Sequence, residues 1–230
     1  MTLPRGRPIG RTTTPAAPRG RMGIPEGRLA RHRSQVAAAV SSAAHGGGAL
    51  VLVGDSITQA WQTEGHEELL RPYRTVNLGT SGDRTEQILW RLRNGALPTG
   101  LRPRAFVLMA GTNNAGLMRD DPEHIANGLL AIVGLLLDAD PTAPLLLYPI
   151  FPRGAHPECE MRRIVDAASE SLLRRLPASP RIRVRDIRAR FLDDRGRTIR
   201  HLMPDRLHLS RAGYELWADD LRAALGRPYG

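Results

Sequence analysis

The chain has 230 residues, of which 41% are apolar and 24% charged, with one cysteine and a formal net charge of +10. This length suits one α/β domain that buries roughly 70% of its unfolded surface. The composition argues against disorder of the whole chain, a disulfide scaffold and a coiled coil. The longest apolar run covers 129–137, much shorter than the ~20 residues that span a bilayer, so we expect no transmembrane helix.

The positive charge is concentrated at the N-terminus. All 33 basic residues are arginine; eight lie in the first 33 residues against one acid, Glu26, and the other 25 face 22 acids. A surface for nucleic acid would keep its charge on the folded part, so we expect no nucleic-acid partner. Residues 1–26 are rich in Pro, Gly, Arg and Thr and are predicted to form a disordered tail.

The cellular location is predicted from two features of the sequence. The single cysteine, Cys159, excludes an intramolecular disulfide and fits a reducing compartment. The N-terminus has no apolar segment like that of a signal peptide, and its prolines would break the amphipathic helix of a transit peptide. We therefore expect a cytoplasmic protein.

Short apolar runs alternate with helical patterns along the rest of the chain. The predicted strands are 49–53, 75–78, 104–110, 144–150 and 182–187, and the predicted helices include 26–44, one capped by Asp83 with Glu86 as its capping-box partner, one beginning at Asp121-Pro122, 158–176 and 210–225. This alternation predicts a parallel sheet covered by helices on both faces. In such sheets the ligand site lies beyond the carboxyl ends of the strands.

Polar residues follow each of the first three predicted strands. Ser56, after Gly54-Asp55, could present its hydroxyl and its own backbone N–H at the sheet edge, or it could be part of an ordinary helix cap. Gly82 lies in a glycine-containing loop and Asn113 in an Asn-rich turn, where an amide could donate to a developing oxyanion. A flexible loop and a simple turn are the structural alternatives.

A fourth pattern near the C-terminus completes the chemistry. Asp205 precedes His208 by three residues, so its carboxylate could hold Nδ1–H while Nε2 faces a nucleophile; a surface loop is the alternative. Taken together, the four segments supply the nucleophile, oxyanion donors, base and orienting carboxylate of acyl transfer. No H-E-x-x-H, C-x-x-C or P-loop pattern occurs, so neither a metal nor a nucleotide is implied.

These residues resemble the conserved blocks of the SGNH (GDSL) hydrolase family. Ser56 matches the nucleophile, Gly82 and Asn113 the oxyanion-hole residues, and His208 with Asp205 the base and its partner. The wider match, over about 27–226, is similar to the catalytic subunits of platelet-activating-factor acetylhydrolase and their bacterial relatives. It includes the segments 53–57, 77–83, 88–95, 107–114, 152–154 and 207–214.

The resemblance implies a three-layer α/β/α flavodoxin-like fold with about five parallel strands in the order 2-1-3-4-5, formed by a hydrolase domain over 27–230. It implies a cofactor-free serine esterase with Ser56, His208 and Asp205 as triad and with Ser56, Gly82 and Asn113 as oxyanion hole, supported by Asp55. A homodimer is also implied by the resemblance alone.

The substrate is the least determined part of the prediction. The first prediction is an esterase that acts on short-chain, acetyl esters. A carbohydrate O-acetyl esterase and an acyltransferase are alternatives because they need the same serine. Trp61, Trp90 and Tyr73 could stack on a sugar, but packing roles are favoured. A binding scaffold without catalysis is the alternative from another class, and it is disfavoured because every member of the catalytic set is present.

Overall fold

The computed structural model of the protein describes residues 26–63, 66–71 and 73–226. The predicted disordered tail lies outside these residues except for Glu26, which begins the first helix. None of the helices in the described part of the chain has the length and apolarity needed to cross a membrane.

Five parallel strands form a single sheet in the order β2-β1-β3-β4-β5, as the resemblance implies. The strands are β1 (Leu50–Gly54), β2 (Thr75–Asn77), β3 (Ala105–Met109), β4 (Leu145–Leu147) and β5 (Ile182–Val184). The central strands β1 and β3 are fully buried along their length, which explains their nearly continuous apolar sequences.

Within the described residues, six α-helices connect and cover the strands. They are α1 (Glu26–Ala44), α2 (Ser56–Gln59), α3 (Thr85–Arg91), α4 (Pro122–Ala139), α5 (Glu160–Arg175) and α6 (Arg211–Leu225). The predicted start of α4 is confirmed: Asp121 caps it by accepting a hydrogen bond from Glu123 N–H, and Pro122 occupies its first turn. The first predicted helix, 26–44, also agrees with the structure.

The sheet separates two hydrophobic cores, because successive strand residues face opposite sides. One core contains Val51 and Val53 with the buried faces of α3, α4 and α5. The other contains Leu50 and Leu52 with aromatic side chains from α6 and from the loops near it. Trp217 of α6 is its centre, and packs against Trp61, Tyr148, Phe151 and Tyr214.

Two local predictions are corrected by the structure. Asp83 does not cap α3: the N-cap is Arg84, whose backbone N–H donates to Gln87 Oε1. Asp83 is fully buried and bonded to Arg91 instead. A carboxylate that is removed from water is stable only when a cation or other donors compensate its charge. The strands β4 and β5 end three residues before the predicted ends: the residues after β4 are apolar and pack in a loop, whereas the two residues directly after β5 are charged.

Candidate active site

Ser56 lies at the sharp turn between β1 and α2, at the carboxyl edge of the sheet. Asp55 caps this short helix, with Oδ1 accepting a hydrogen bond of 3.0 Å from Ile57 N–H. The turn requires glycine at position 54, where a Cβ would lie 2.8 Å from Thr58 Cβ and would also meet the Met109 carbonyl. Tyr214 Oη donates to the Ile57 carbonyl at 2.7 Å and holds the turn from the other side. Ser56 is therefore fixed on a rigid turn.

Asp205 and His208 form a compact loop before α6. One carboxylate oxygen, Oδ1, accepts from the backbone N–H groups of Leu207 and His208 at 3.0 and 2.7 Å. The other oxygen, Oδ2, lies 2.6 Å from His208 Nδ1. Arg206 takes a left-handed conformation with φ +63°, which lets the loop turn back on itself. The three-residue spacing thus lets backbone N–H groups orient the carboxylate toward the imidazole.

The imidazole of His208 joins this loop to the first strand. Its Nε2 lies 3.0 Å from Ser56 Oγ, although the two residues are 152 positions apart. A carboxylate can only accept, so Nδ1 carries the proton that is donated to Asp205, and Nε2 is left to accept from the serine hydroxyl. This is the hydrogen-bond order of a nucleophile, a general base and an orienting acid.

The carboxylate of Asp205 is suited to remain ionised. Partial burial acts to raise its pKa, but the hydrogen bonds and charge of His208, together with the Leu207 N–H, outweigh this effect and hold the pKa of Asp205 below its ordinary value. Both side chains remain partly open to solvent, with 55% of Asp205 and 46% of His208 exposed. The pair is therefore a surface-accessible hydrogen-bonded unit.

The two other predicted oxyanion-hole residues lie on adjacent loops. Gly82 has φ +75°, a left-handed conformation that glycine adopts without strain. Asn113 is buried, and its Nδ2 donates to the carbonyl of Asp83, the residue after Gly82, at 3.0 Å. That bond uses one of the two amide hydrogens and leaves the second for another acceptor. The structure thus links Asn113 to the Gly82 loop.

Polar side chains also link this loop to the serine turn. Asn77 Nδ2 donates to Thr58 O at 2.9 Å, and its Oδ1 accepts from Gly79 N–H at 2.9 Å. Gln59 Oε1 accepts from Ser81 N–H at 2.7 Å. These bonds fix the loop that contains Gly82 relative to α2, the helix that begins with Ser56.

A pocket of about 290 Å³ opens beside the serine. Ser56 and His208 line it together with Gln59, His66, Ser81 and Tyr214. His66 is a residue without a functional interpretation in the sequence: it is buried, stacks on Tyr214 at 4.1 Å, and bonds through Nδ1 to the Ala60 carbonyl. Trp61 is buried within the aromatic core, which agrees with the packing role predicted for it.

Asp55 has a perturbed acidity. Complete burial raises the pKa of Asp55 to about 7, and the Ile57 N–H bond and the charges of His208 and Arg153 offset only part of this shift. Its second oxygen, Oδ2, has no hydrogen-bond partner among the described residues. The carboxyl is thus a costly group to ionise at the base of the serine turn.

Replacing Asp55 with asparagine should remove a pH dependence of folding stability. Between about pH 4 and pH 7 the unfolded chain releases the Asp55 proton while the folded chain keeps it, so wild-type stability falls as pH rises through this window. Three pKa units correspond to about 4 kcal/mol at most. We expect the free energy of unfolding of Asp55→Asn, measured with urea, to rise relative to that of wild type by about 2–4 kcal/mol as the pH increases from 4 to 8.

The exposed Asp219→Asn serves as the control for this measurement, because its side chain is 63% exposed. It should leave the pH profile unchanged. Parallel pH profiles for wild type and Asp55→Asn would show that Asp55 titrates normally in the folded protein.

Arg153 contacts the turn of Asn113, and no sequence motif indicated this contact. Arg153 Nη1 donates to the carbonyl and hydroxyl of Thr112 at 3.0 and 3.1 Å, next to Asn113. Burial lowers the pKa of Arg153, and the charges of Asp55 and Asp205 act against that shift. The segment 152–154 belongs to the resemblance, but its spacing alone indicates no contact with the Asn113 turn.

One group of side chains in the described part of the chain has the chemistry of metal ligands. Glu86, Asp120 and His124 offer atoms that lie within 4.8 Å of one another. Asn114 Nδ2 already donates to both carboxylates, at 3.2 and 2.9 Å, and Arg84 pairs with Glu86 at 3.6 Å. Because protein donors already bond to both carboxylates, we assign no metal to them.

A parallel α/β sheet with a hydrogen-bonded serine, histidine and aspartate at its carboxyl edge is the arrangement typical of acyl-transferring hydrolases. The sequence model of the GDSL-like lipase/acylhydrolase family matches residues 52–216. The chain belongs to this family.

Known relatives agree with this assignment. The chain is 37% identical over 166 residues to the human platelet-activating factor acetylhydrolase IB subunit alpha1, covering 72% of this chain and 70% of that protein. In structure it is similar to a GDSL-like lipase from Bacteroides thetaiotaomicron (TM-score 0.63, 19% identity, 87% of this chain and 97% of the other) and to an acetyl xylan esterase (TM-score 0.61, 22% identity, 76% and 98%). The protein is a carboxylic ester hydrolase.

Proposed function

We propose that the protein hydrolyses short-chain carboxylic esters, acetyl esters first among them, through a covalent acyl-enzyme on Ser56. The observation that carries this proposal is the continuous hydrogen-bond path from Ser56 Oγ to His208 Nε2, at 3.0 Å, and from His208 Nδ1 to Asp205, at 2.6 Å. A nucleophile within hydrogen-bond distance of an oriented base is the arrangement that acyl transfer requires.

In the first half of the reaction, His208 Nε2 takes the hydroxyl proton while Ser56 Oγ attacks the ester carbonyl carbon. The carbonyl oxygen becomes an oxyanion, and the backbone N–H groups of Ser56 and Gly82 and the second Nδ2 hydrogen of Asn113 donate to it. The bond to the alcohol oxygen then breaks, and His208 returns the proton to the departing alcohol. Asp205 stays ionised and keeps the imidazole in the required tautomer.

In the second half, water takes the place of the alcohol. His208 accepts a proton from this water, whose oxygen attacks the acyl carbon of the Ser56 ester. The Ser56 Oγ–acyl bond breaks, Oγ regains a proton from His208, and the carboxylic acid leaves. No proton or electron is supplied from outside this cycle.

The small size of the pocket supports a short acyl chain. Its volume of about 290 Å³ is at the lower limit of typical small-molecule sites, which run from about 300 to 1,000 Å³. The curated relatives at 34–37% identity are themselves named acetylhydrolase subunits. Both observations favour acetyl over long-chain esters.

An ester panel tests the proposal directly. We expect the protein to hydrolyse p-nitrophenyl acetate faster than the butyrate and octanoate esters, and to incorporate one fluorophosphonate per chain at Ser56. Acetylated sugars and an acetylated ether lipid in the same panel distinguish the alcohol. Absence of both hydrolysis and labelling would contradict the proposal and support a binding scaffold.

The Asn113 amide offers a separate test of the oxyanion hole. We expect Asn113→Ala to lower kcat on p-nitrophenyl acetate by about 10²–10³, with KM changed little, because one donor to the transition state is lost. Since Asn113 also bonds to the Asp83 carbonyl, the thermal unfolding midpoint of the variant must be measured alongside. An unchanged kcat in a folded variant would remove Asn113 from the oxyanion hole.

The homodimer remains a prediction from the resemblance. Sedimentation velocity distinguishes it from a monomer of 25.3 kDa.

A further inference from the structure

Helix α1 precedes the region that the family model matches, and it packs on the loop that contains Gly82. Arg31 donates through Nε and Nη2 to the Gly79 carbonyl at 2.7 and 2.5 Å. Gln35 Nε2 donates to the same carbonyl at 2.9 Å and to Thr80 Oγ1 at 3.1 Å. The position of α1 relative to this loop is therefore fixed by several hydrogen bonds.

Two guanidinium groups pair with the carboxylate of Asp83, the residue after Gly82, and a third acts on it through its charge. Arg91 donates to both of its oxygens, at 2.5 and 3.3 Å, and Arg28 Nη1 lies 3.7 Å from Oδ1. Arg31 acts on it through its charge. Three cations around one anion leave two positive charges uncompensated within this group, next to the predicted oxyanion hole.

Of the two arginines that pair with Asp83, Arg28 is the more solvent-accessible. Its side chain is 39% exposed, whereas that of Arg91 is 5% exposed. Its Nη2 lies over Gly82, so that a Cβ at this position would be only 2.6 Å from it. Glycine therefore leaves room for a guanidinium group directly beside a predicted oxyanion donor.

We propose that Arg28 binds a negatively charged group, a carboxylate, phosphate or sulfate, that the ester substrate carries near its acyl carbonyl. This inference rests on the proposed function, since it names the class of ester that the same site prefers. The guanidinium fork matches such oxyanions by paired hydrogen bonds. None of the residues that line the pocket beside Ser56 is acidic, so the pocket wall offers no carboxylate to repel an anion.

Matched ester pairs test this preference. On the alcohol side, 4-acetoxybenzoate is compared with its methyl ester; on the acyl side, p-nitrophenyl hydrogen succinate is compared with p-nitrophenyl methyl succinate. We expect wild type to favour the anionic member of at least one pair by about 5- to 20-fold in kcat/KM, and added salt to reduce this preference. The pair that responds identifies which side of the ester carries the charge.

Variants connect the preference to Arg28. Arg28→Gln should reduce the ratio of kcat/KM between the anionic and neutral members to about one, whereas Arg28→Lys should retain part of the preference. Arg33→Gln is the matched control, because Arg33 lies on the same helix, is 64% exposed and pairs with Glu26. It should keep the wild-type preference.

The outcomes separate this inference from the proposed function. Hydrolysis of neutral esters without an anionic preference, or a preference that survives in Arg28→Gln, would overturn the role of Arg28 and leave the esterase intact. Equal loss on the charged and neutral members in Arg28→Gln would overturn it too, and would make Arg28 a positioning residue for the Gly82 loop. Hydrolysis of none of the four esters by wild type would overturn both proposals.

Discussion

Replacing Ser56 with alanine is expected to reduce kcat on p-nitrophenyl acetate by about 10⁶, and His208→Ala by a similar factor, because in hydrolases of this kind the nucleophile and base act as one unit. In this protein Ser56 Oγ and His208 Nε2 lie 3.0 Å apart. The double variant should therefore lose little more than either single one. Initial rates at high enzyme concentration, with fluorophosphonate labelling in parallel, measure both effects.

Ser81→Ala is the control for this experiment. Ser81 lines the same pocket, but removing its hydroxyl takes away no reacting group, so its activity should stay within about tenfold of wild type. If Ser56→Ala kept most of the esterase activity and Ser81→Ala lost it, the nucleophile would have to be reassigned.

Asp205→Asn is expected to have the second largest effect, a loss of about 10⁴ in kcat. The asparagine Oδ1 can still accept from the Leu207 and His208 backbone N–H groups, so the loop keeps its shape. The side-chain NH₂, however, would face His208 Nδ1 and would favour the tautomer protonated on Nε2. That nitrogen can then no longer accept the Ser56 proton.

Asp193→Asn controls for loss of a loop-stabilising carboxylate. Asp193 accepts from the backbone N–H groups of Arg195 and Arg197 in the same manner, but it is not among the residues that line the pocket. It should keep nearly full activity. Two variants with equal, small losses would mean that Asp205 shapes its loop and does not act through His208.

Local sequence was sufficient for the elements whose signals lie within a few residues. Helix α4 begins where Asp121-Pro122 predicts, since capping depends on adjacent residues. The compact loop of Asp205 and His208 follows in the same way from a three-residue spacing and short backbone bonds. The strand order could be predicted only from the resemblance, because periodicity identifies strands but does not show which strands are neighbours in the sheet.

Asp83 shows where local reasoning fails. Its position before Thr85 and Glu86 is typical of a helix cap, yet the structure buries it against Arg91. The partner lies eight residues away, and a second cation, Arg28, comes from a separate helix. Neither contact leaves a signal in the pattern around Asp83.

The sequence by itself therefore determined the family and its fold, and it predicted the types of reacting group, because a nucleophile, a base and donors follow recognisable short motifs. Only the tertiary structure decided their surroundings: the 3.0 Å contact between Ser56 and His208, the burial that raises the pKa of Asp55, and the arginines of α1 beside Gly82. These properties depend on distances and on exclusion of water among residues far apart in the chain, and no short segment encodes them.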